Sequence, residues 1–591
     1  MENNIVPNNE ERDFCEFQMD LADFELSQED LQEIETLEFN ALQTSFRDIS
    51  SDDESENLHV PKKRRRMVIN SDSESDSVKD FVLQNLPTSS NTYTKWKNPT
   101  GCTARAIPFT EPTGMKSPFS RDLSQGDPED FYSLLVDDSL FEIIAEQSNL
   151  FATQSFGDKD FKPCSRSHTW QPTDKHEIKR FFGLILFMGL VKLPSISDYW
   201  STDDIFQQPF PRTVMTRNRF ELLLQYLHFA DNYNLNPNDR IGKIRYLVNL
   251  LNDKFKAYYA PKEELCVDES MIPFRGRVTF RQYNKSKRHK YGIKLFKVCT
   301  NPGYTLKIQV YSGKNIDIEN NTPTKIVLSL CDELLNKGHT IATDNWYTSL
   351  ELAYELLKND THFLGTVRKN RKYLPRKVVE TNLKRGEFVA QENDCGITVL
   401  KWKDKRDVLM LSTKHTDKFT RLNVRGKAVQ KPAMVIDYNK CKASVDMSDQ
   451  MTAYSTPLRK TVKWYRKLAI ELLLNTAVVN ALIMYKETTK KNISVVDYRK
   501  NLVQYLTKSG RPETGNLALE LRPKRRKNEL VKKKGPVRKM RRFCVGCYKK
   551  NVEKMSRKDA KNKTLKVPTY CLQCDGQPHY CLPCFNREHR T

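Results

Sequence analysis

Three aspartate-bearing stretches of this chain have the residue types and spacing for metal-assisted chemistry. "EELCVDESMIPF" sets Asp268 inside an alternating apolar run, and "HTIATDNWYTSLELA" sets Asp344 where another such run stops. There Thr348 and Glu351 read as the capping box of a following helix. "PAMVIDYNKCKASVDMSDQMTAY" carries Asp446 and Asp449 three apart, on one side of a helical turn. A single aspartate after a strand usually only starts a loop. Two at neighbouring strand ends need cations, and Mg²⁺ prefers carboxylate oxygens and water. Two such ions about 4 Å apart clamp the attacking and leaving oxygens of a phosphoryl displacement.

A second constellation closes the chain. Cys544 and Cys547, Cys571 and Cys574, and Cys581 and Cys584 form three C-x₂-C knuckles, with His579 and His589 beside the last. Eight such ligands suit two tetrahedral Zn²⁺ sites interleaved as a cross-brace. Six of the fourteen cysteines lie in this tail and the rest are scattered, which points to a reducing compartment and a metal module, not a disulfide framework.

The elements that must position the aspartates follow from periodicity. From about 127 to 255 apolar residues recur at three- and four-residue spacing, the mark of helices. At 263 the period changes, and "EELCVDESMIPF", "HKYGIKLFKVCT" and "YTLKIQVYSG" read as three consecutive strands. A helix beginning at Thr322 and Pro323 and stopping at Gly338 follows, then a strand, a helix and the strand "THFLGTV". Three strands, helix, strand, helix, strand is the order of an RNase H-like α/β sheet, in which the first and fourth strands are neighbours. Asp268 and Asp344 are then expected side by side, and the helix carrying Asp446 comes where a third ligand belongs.

Composition narrows the partners. The 591 residues carry a formal charge of +23 although the first sixty are acidic, so the foldable remainder is strongly basic and suits a polyanion, nucleic acid above all. The run "PKKRRR", with Lys62, Lys63, Arg64, Arg65 and Arg66, reads as a nuclear import signal for an import receptor, and the expected location is the nucleus. The longest apolar run, "FFGLILFMGLV", is too short to cross a bilayer; it reads as a buried helix, and no membrane association is expected.

Taken in order, "CVDESMIPFRGR", "KYGIKLFKVCT", "ATDNWYTS", "LGTVRK" and "YNKCKASVDMSDQM" resemble the piggyBac family of DNA transposases over roughly residues 125 to 591. The resemblance implies a catalytic triad of Asp268, Asp344 and Asp446, binding two Mg²⁺ per active site with Mn²⁺ as a substitute, and Asp449 as an accessory carboxylate. It also implies double-stranded DNA as substrate, nicked at the terminal inverted repeats. The freed 3′-OH forms and resolves an end hairpin and then joins a TTAA target, within a homodimer or larger assembly on DNA.

Arg275, Arg277, Lys287, Arg288 and Lys290 are candidate phosphate contacts, Asn345, Trp346 and Trp464 candidate base contacts. The expected organisation is a disordered acidic region over 1–115, a helical dimerisation and DNA-binding domain in two parts (116–262 and 457–521), and an RNase H-like catalytic domain in two parts (263–369 and 433–456). A β-rich insertion (370–432), a basic linker (522–542) and a zinc-binding domain with two Zn²⁺ per chain (543–591) complete it. The rival function is that of a domesticated, transposase-derived nuclear DNA- or chromatin-binding protein without transposition activity; loss of any of the three acids would favour it, and none is lost.

Overall fold

Spacing of apolar residues at three and four positions produces the helices that open the fold. α1 (Pro128–Leu135), α2 (Asp138–Gly157), α4 (Arg217–Tyr226) and α5 (Gly242–Tyr258) each bury one face, whereas α3 (Lys175–Leu190) is buried nearly all round. The Asp174 side chain caps α3 by accepting from the Glu177 N–H at 2.7 Å. α3 holds the longest apolar run, with Phe181, Phe182, Leu184 and Leu186 fully buried.

The computed structural model describes residues 95–101, 105–157, 165–284, 290–313, 322–424, 427–461, 463–510, 530–533, 535–536, 540–572 and 574–589. The acidic N-terminal stretch and the import run Lys62 to Arg66 lie outside them. The chain divides into two compact units, before and after Gly510.

In the first unit a large sheet follows the helices. β1 (Glu264–Pro273), β2 (Tyr291–Thr300) and β3 (Tyr304–Val310) pair antiparallel in sequence. α6 (Pro323–Cys331), capped by Thr322, leads to β4 (Thr340–Thr343), which pairs parallel with β1. α7 (Leu350–Lys358) leads to β5 (His362–Thr366), parallel to β4. The strand order through this part is β3, β2, β1, β4, β5.

Three strands of the 370–432 segment, β6 (Phe388–Asn393), β7 (Thr398–Lys403) and β8 (Asp407–Ser412), continue the same sheet, with β8 antiparallel to β5. β9 (Phe419–Val424) and β10 (Lys427–Pro432) form a hairpin that runs directly into α8 (Ala433–Ala453).

Period-two alternation splits the sheet between two cores. Leu265, Val267, Ile341 and Phe363 join the large core with the helices, whereas Ala342, Leu364, Leu400 and Met410 face Met434, Val435, Tyr438 and Cys441 of α8. Cys266 and Cys299 face Val445 on that same side.

After α8 comes one long helix, α9 (Trp464–Thr489), with a π turn at Leu472–Thr476, then α10 (Val495–Lys508). α9 is long and apolar enough to cross a membrane, but 94% of its apolar window is buried inside this protein. α10 packs on α3 and α9 on α1, so helices from both ends of the unit share one core.

Two expectations need correction. Residues 95–115 were expected to be disordered, yet Trp96 and Lys97 pair with β6, and Gly114 and Met115 pair with Ala260 and Tyr259. These are backbone bonds to strands far along the chain, and local composition does not register them. Within the expected linker 522–542, Leu530–Lys532 forms β11 and Arg542–Phe543 forms β12. α11 (Val545–Val552), α12 (Arg557–Lys563), β13 (Lys566–Val567), β14 (Thr569–Cys571) and α13 (Leu582–His589) complete the second unit, with β11 paired to β14 and β12 to β13.

Candidate active site and metal-holding cysteine groups

β1 and β4 bring the first two aspartates together. Val267 and Thr343 are partners in the parallel ladder, and Asp268 and Asp344 are the next residues on each strand. Asp268 follows Cys266, and Asp344 follows Ala342, by two positions, so both lie on the face that α8 covers. On α8, Val445 packs against Cys266 and Cys299, which brings Asp446 to the same end of the sheet with its side chain exposed. The charges of both Asp268 and Asp446 act on the buried Cys266 thiol, and those of Asp344 and Asp268 on the buried Tyr438 hydroxyl.

The loop after β4 is built around Asp344. Its Oδ1 accepts from the Trp346 N–H at 2.9 Å, and its backbone oxygen accepts from Thr348 Oγ1 at 2.7 Å. Thr348 is therefore occupied inside the turn, and the cap of α7 is Ser349, whose Oγ accepts from the Leu352 N–H at 3.1 Å. This corrects the expected Thr348 capping box. Gly365 on β5 makes room for the turn: a Cβ there would lie 2.3 Å from Thr348 Oγ1. Burial pushes the Asp344 carboxyl above its ordinary value and the Glu269 charge adds to this, while the N–H groups of Trp346 and Tyr347 and the Arg368 guanidinium pull back.

Three hard carboxylates on the side of the sheet that α8 covers are a donor set suited to Mg²⁺. Among the described residues, however, the groups that bring three or more ligand atoms within 4.8 Å of one another lie in the cysteine-rich unit, and the three aspartates are not so closely gathered. Asp449, one turn beyond Asp446, is engaged elsewhere: Lys297 Nζ donates to its Oδ1 at 2.8 Å and Ser270 Oγ to its Oδ2 at 2.6 Å.

The candidate contact residues scatter. Arg275 and Arg277 are exposed beyond the far end of β1, and Lys290 is exposed just before β2, so about 17 Å of strand separates them from Asp268. Lys287 and Arg288 lie outside the described residues. Asn345 is exposed beside Asp344, and its Oδ1 accepts from Arg368 Nε at 3.0 Å. The Trp346 ring lies nearly parallel to Phe296 with Lys294 Nζ 4.7 Å from its centroid. Trp464, half-buried in the first turn of α9, meets Phe280 edge-on at 5.1 Å. Besides Lys294, the Asp344 loop is met by Arg368, through Asn345, and by Arg371, which donates to the Trp346 carbonyl at 2.6 Å. Sequence reasoning passed over them; the signal was the run "VRKNRK" immediately after β5.

In the second unit Cys544, Cys547, Cys581 and Cys584 form one group, and Cys571, Cys574 and His589 another. Sulfur–sulfur distances in the first are 3.6 Å (Cys544 to Cys581), 3.7 Å (Cys547 to Cys581) and 3.6 Å (Cys547 to Cys584). Four thiolates about 2.3 Å from a tetrahedral Zn²⁺ stand about 3.8 Å apart, whereas a disulfide requires about 2.05 Å. The group thus has the dimensions of a zinc site. Burial pushes the Cys544 thiol up, but the N–H groups of Cys581 and Cys547 bring it net below its ordinary value, favouring the thiolate. In the second group Cys574 Sγ is 3.7 Å from His589 Nε2.

His579 belongs to neither group, which corrects its place among the expected ligands. Its Nδ1 lies 3.0 Å from the Val567 carbonyl, and its backbone bridges to Tyr570 and accepts from the Val545 N–H at 2.9 Å. Those bonds bind it to β13, β14 and α11.

A family model described as Transposase IS4 matches residues 127–482, more than half of the chain, so the class of protein is a transposase. Human PiggyBac transposable element-derived protein 3 is 28% identical over 409 residues, covering 65% of this chain and 66% of that protein. Human PiggyBac transposable element-derived protein 2 is 27% identical over 375 residues, covering 60% of each. The cryo-EM structure of the piggyBac transposase synaptic complex with hairpin DNA matches with a TM-score of 0.60 at 27% identity, over 70% of this chain and 86% of that one. The chain belongs to the piggyBac family of transposases. It spans just under two thirds of the first of those human relatives and less of the second.

Proposed function

We propose that this protein is a cut-and-paste DNA transposase with an RNase H-like core, whose Asp268, Asp344 and Asp446 carry Mg²⁺-dependent phosphoryl transfer. The observation that carries the reading is the parallel Val267–Thr343 pair, after which each strand continues with an aspartate on the face shared with α8. The strand order β3, β2, β1, β4, β5 supports the RNase H-like assignment. Two divalent cations held by the three carboxylates would activate the attacking oxygen and neutralise the leaving one.

The protein's own part is positional. The Trp346 N–H fixes Asp344 Oδ1, and the Arg368 and Arg371 cations beside the Asp344 loop would attract a scissile phosphate. Water attack releases a 3′-OH at each transposon end, and that hydroxyl displaces the opposite strand's phosphodiester to form a hairpin. The hairpin is reopened and the 3′-OH joined to TTAA. The partner is double-stranded DNA, a polyanion suited to the charge of +23. A homodimer or larger assembly on DNA belongs to the same reading, as does nuclear entry through Lys62 to Arg66. Two Zn²⁺ ions per chain would hold the cysteine-rich unit, one in each group of ligands.

A second reading has a specific observation behind it: the human relatives are described as transposable element-derived proteins. A domesticated DNA- or chromatin-binding protein would keep the fold and the zinc unit without joining DNA. Purified protein incubated with labelled element ends and Mg²⁺ decides between them. Nick, hairpin and TTAA-joined product are expected; DNA binding without any cleavage would favour the domesticated role.

A further inference from the structure

Beneath the aspartate face lies an ion pair that the proposed reaction does not use. Lys297 on β2 has no exposed side-chain surface, and its Nζ donates to Asp449 Oδ1 at 2.8 Å. Ser270 Oγ donates to the other oxygen of the same carboxylate at 2.6 Å. Lys297 is the ladder partner of Asp268, and Ser270 follows Asp268 by two positions on the same face of β1. One carboxylate of α8 is thus fastened to both β1 and β2, on either side of Asp268.

The attachment continues inward. Lys297 is also held by the charge of Glu471 on α9, which is 3% exposed. Glu471 Oε2 accepts from Asn475 Nδ2 at 2.7 Å, and Asn475 Oδ1 accepts from the fully buried Arg499 at 2.9 Å. Charges alternate from Asp449 through Lys297 and Glu471 to Arg499. They join the helix that bears Asp446 to the π turn of α9 and to α10.

We propose that Lys297 and Asp449 are a positioning pair: Lys297 fixes the rotation and height of α8 against the sheet, and so where Asp446 stands relative to Asp268 and Asp344. Asp449 is in this view the counter-ion of a buried lysine and not a metal ligand. An ammonium in contact with its carboxylate repels a divalent ion from the same oxygens. An α-helix advances about 1.5 Å per residue, so the Asp449 anchor controls a carboxylate only one turn away.

The inference rests on the triad reading for its catalytic consequence, and the test separates the two. Lys297→Met, Asp449→Asn, the double variant and Lys297→Arg are compared by thermal unfolding without metal or DNA, and by nicking over a Mg²⁺ titration. Each of the first two should lower the unfolding midpoint, and the double variant should lose no more than the worse single, because the partners are coupled. Nicking at saturating Mg²⁺ should fall about 10²-fold in Lys297→Met, the cost of a misplaced reactive group, and recover largely in Lys297→Arg. The Mg²⁺ concentration for half-maximal nicking should stay near wild type in Asp449→Asn and rise steeply or become unmeasurable in Asp446→Asn.

Additive losses of stability, or an unchanged midpoint in Lys297→Met, would overturn the pair. A Mg²⁺ requirement in Asp449→Asn that shifts as it does in Asp446→Asn would make Asp449 a ligand and overturn the positioning role. A wild-type protein that never nicks removes the proposed reaction, while the unfolding cycle still decides whether the pair anchors α8.

Discussion

Asp268 on β1 and Asp344, the first residue after β4, each follow the parallel Val267–Thr343 pair by one residue. Two carboxylates so placed repel one another, and Asp344 also bears a desolvation cost and the charge of Glu269. Such an arrangement lowers stability, a cost that a cation bound between the carboxylates would offset.

The first prediction follows from that cost. Asp344→Asn should abolish nicking yet leave the metal-free protein as stable as wild type or more so, by up to about 1 kcal/mol, because the amide oxygen still accepts from Trp346 and the buried charge is gone. Thermal unfolding beside a nicking assay checks both halves; residual nicking at the wild-type rate would remove Asp344 from the triad.

Gly365→Ala should act on the same loop from behind. The added Cβ would meet Thr348 Oγ1 at 2.3 Å and the Thr343 carbonyl at 2.9 Å, so β5 and the Asp344 turn must move apart. A loss of about 1–3 kcal/mol is expected, with a fall in nicking larger than the fall in DNA affinity. Denaturant titration and filter binding measure the two effects.

For the second unit, chelation should unfold residues 540–589 while the first unit keeps its thermal transition, because the two are separately compact and metals held by the cysteine groups would stabilise the small unit. His589→Ala should reduce the bound zinc, and His579→Ala should leave the zinc content unchanged, since His579 faces the Val567 carbonyl instead. Metal analysis of the purified variants checks both.

The pH dependence of the first unit should show its buried histidines. Burial holds His228 down at about 4, and its Nδ1 has no hydrogen-bond partner. A depressed histidine binds fewer protons folded than unfolded, so stability is fully present above the unfolded value of about 6.5 and is lost as pH falls from there toward 4. Up to about 3 kcal/mol can be lost this way. His228→Phe, which keeps the stacking on Phe151, should flatten the pH profile across that window. An equally steep profile in the variant would assign the loss elsewhere, to His339 or His362, which burial also depresses.

Much of the candidate site is legible in the sequence because its signals are local. Alternation set β1 to β3, Thr322 and Pro323 announced α6, and the C-x₂-C knuckles announced the cysteine groups. The element order suggested that Asp268 and Asp344 would be neighbours, because it is the order of an RNase H-like sheet, in which the first and fourth strands lie side by side.

What the chain could not disclose by pattern depends on partners far away in sequence. Trp96 and Lys97 become strand only because β6 offers an open edge, and Leu530–Lys532 only because β14 does. Thr348 reads as the cap from spacing to Glu351, but the turn around Asp344 occupies it and Ser349 caps α7 instead. His579 and His589 both flank the last knuckle, but a strand bridge holds the first and a helix brings the second to Cys574. Lys297 lies in an ordinary strand, 152 residues from Asp449, and nothing in its neighbourhood marks it. Local propensity and spacing act within a few residues, so they determined the elements and the chemistry on offer; burial, charge pairing and edge pairing act between elements, and only the folded chain decides which residues they join.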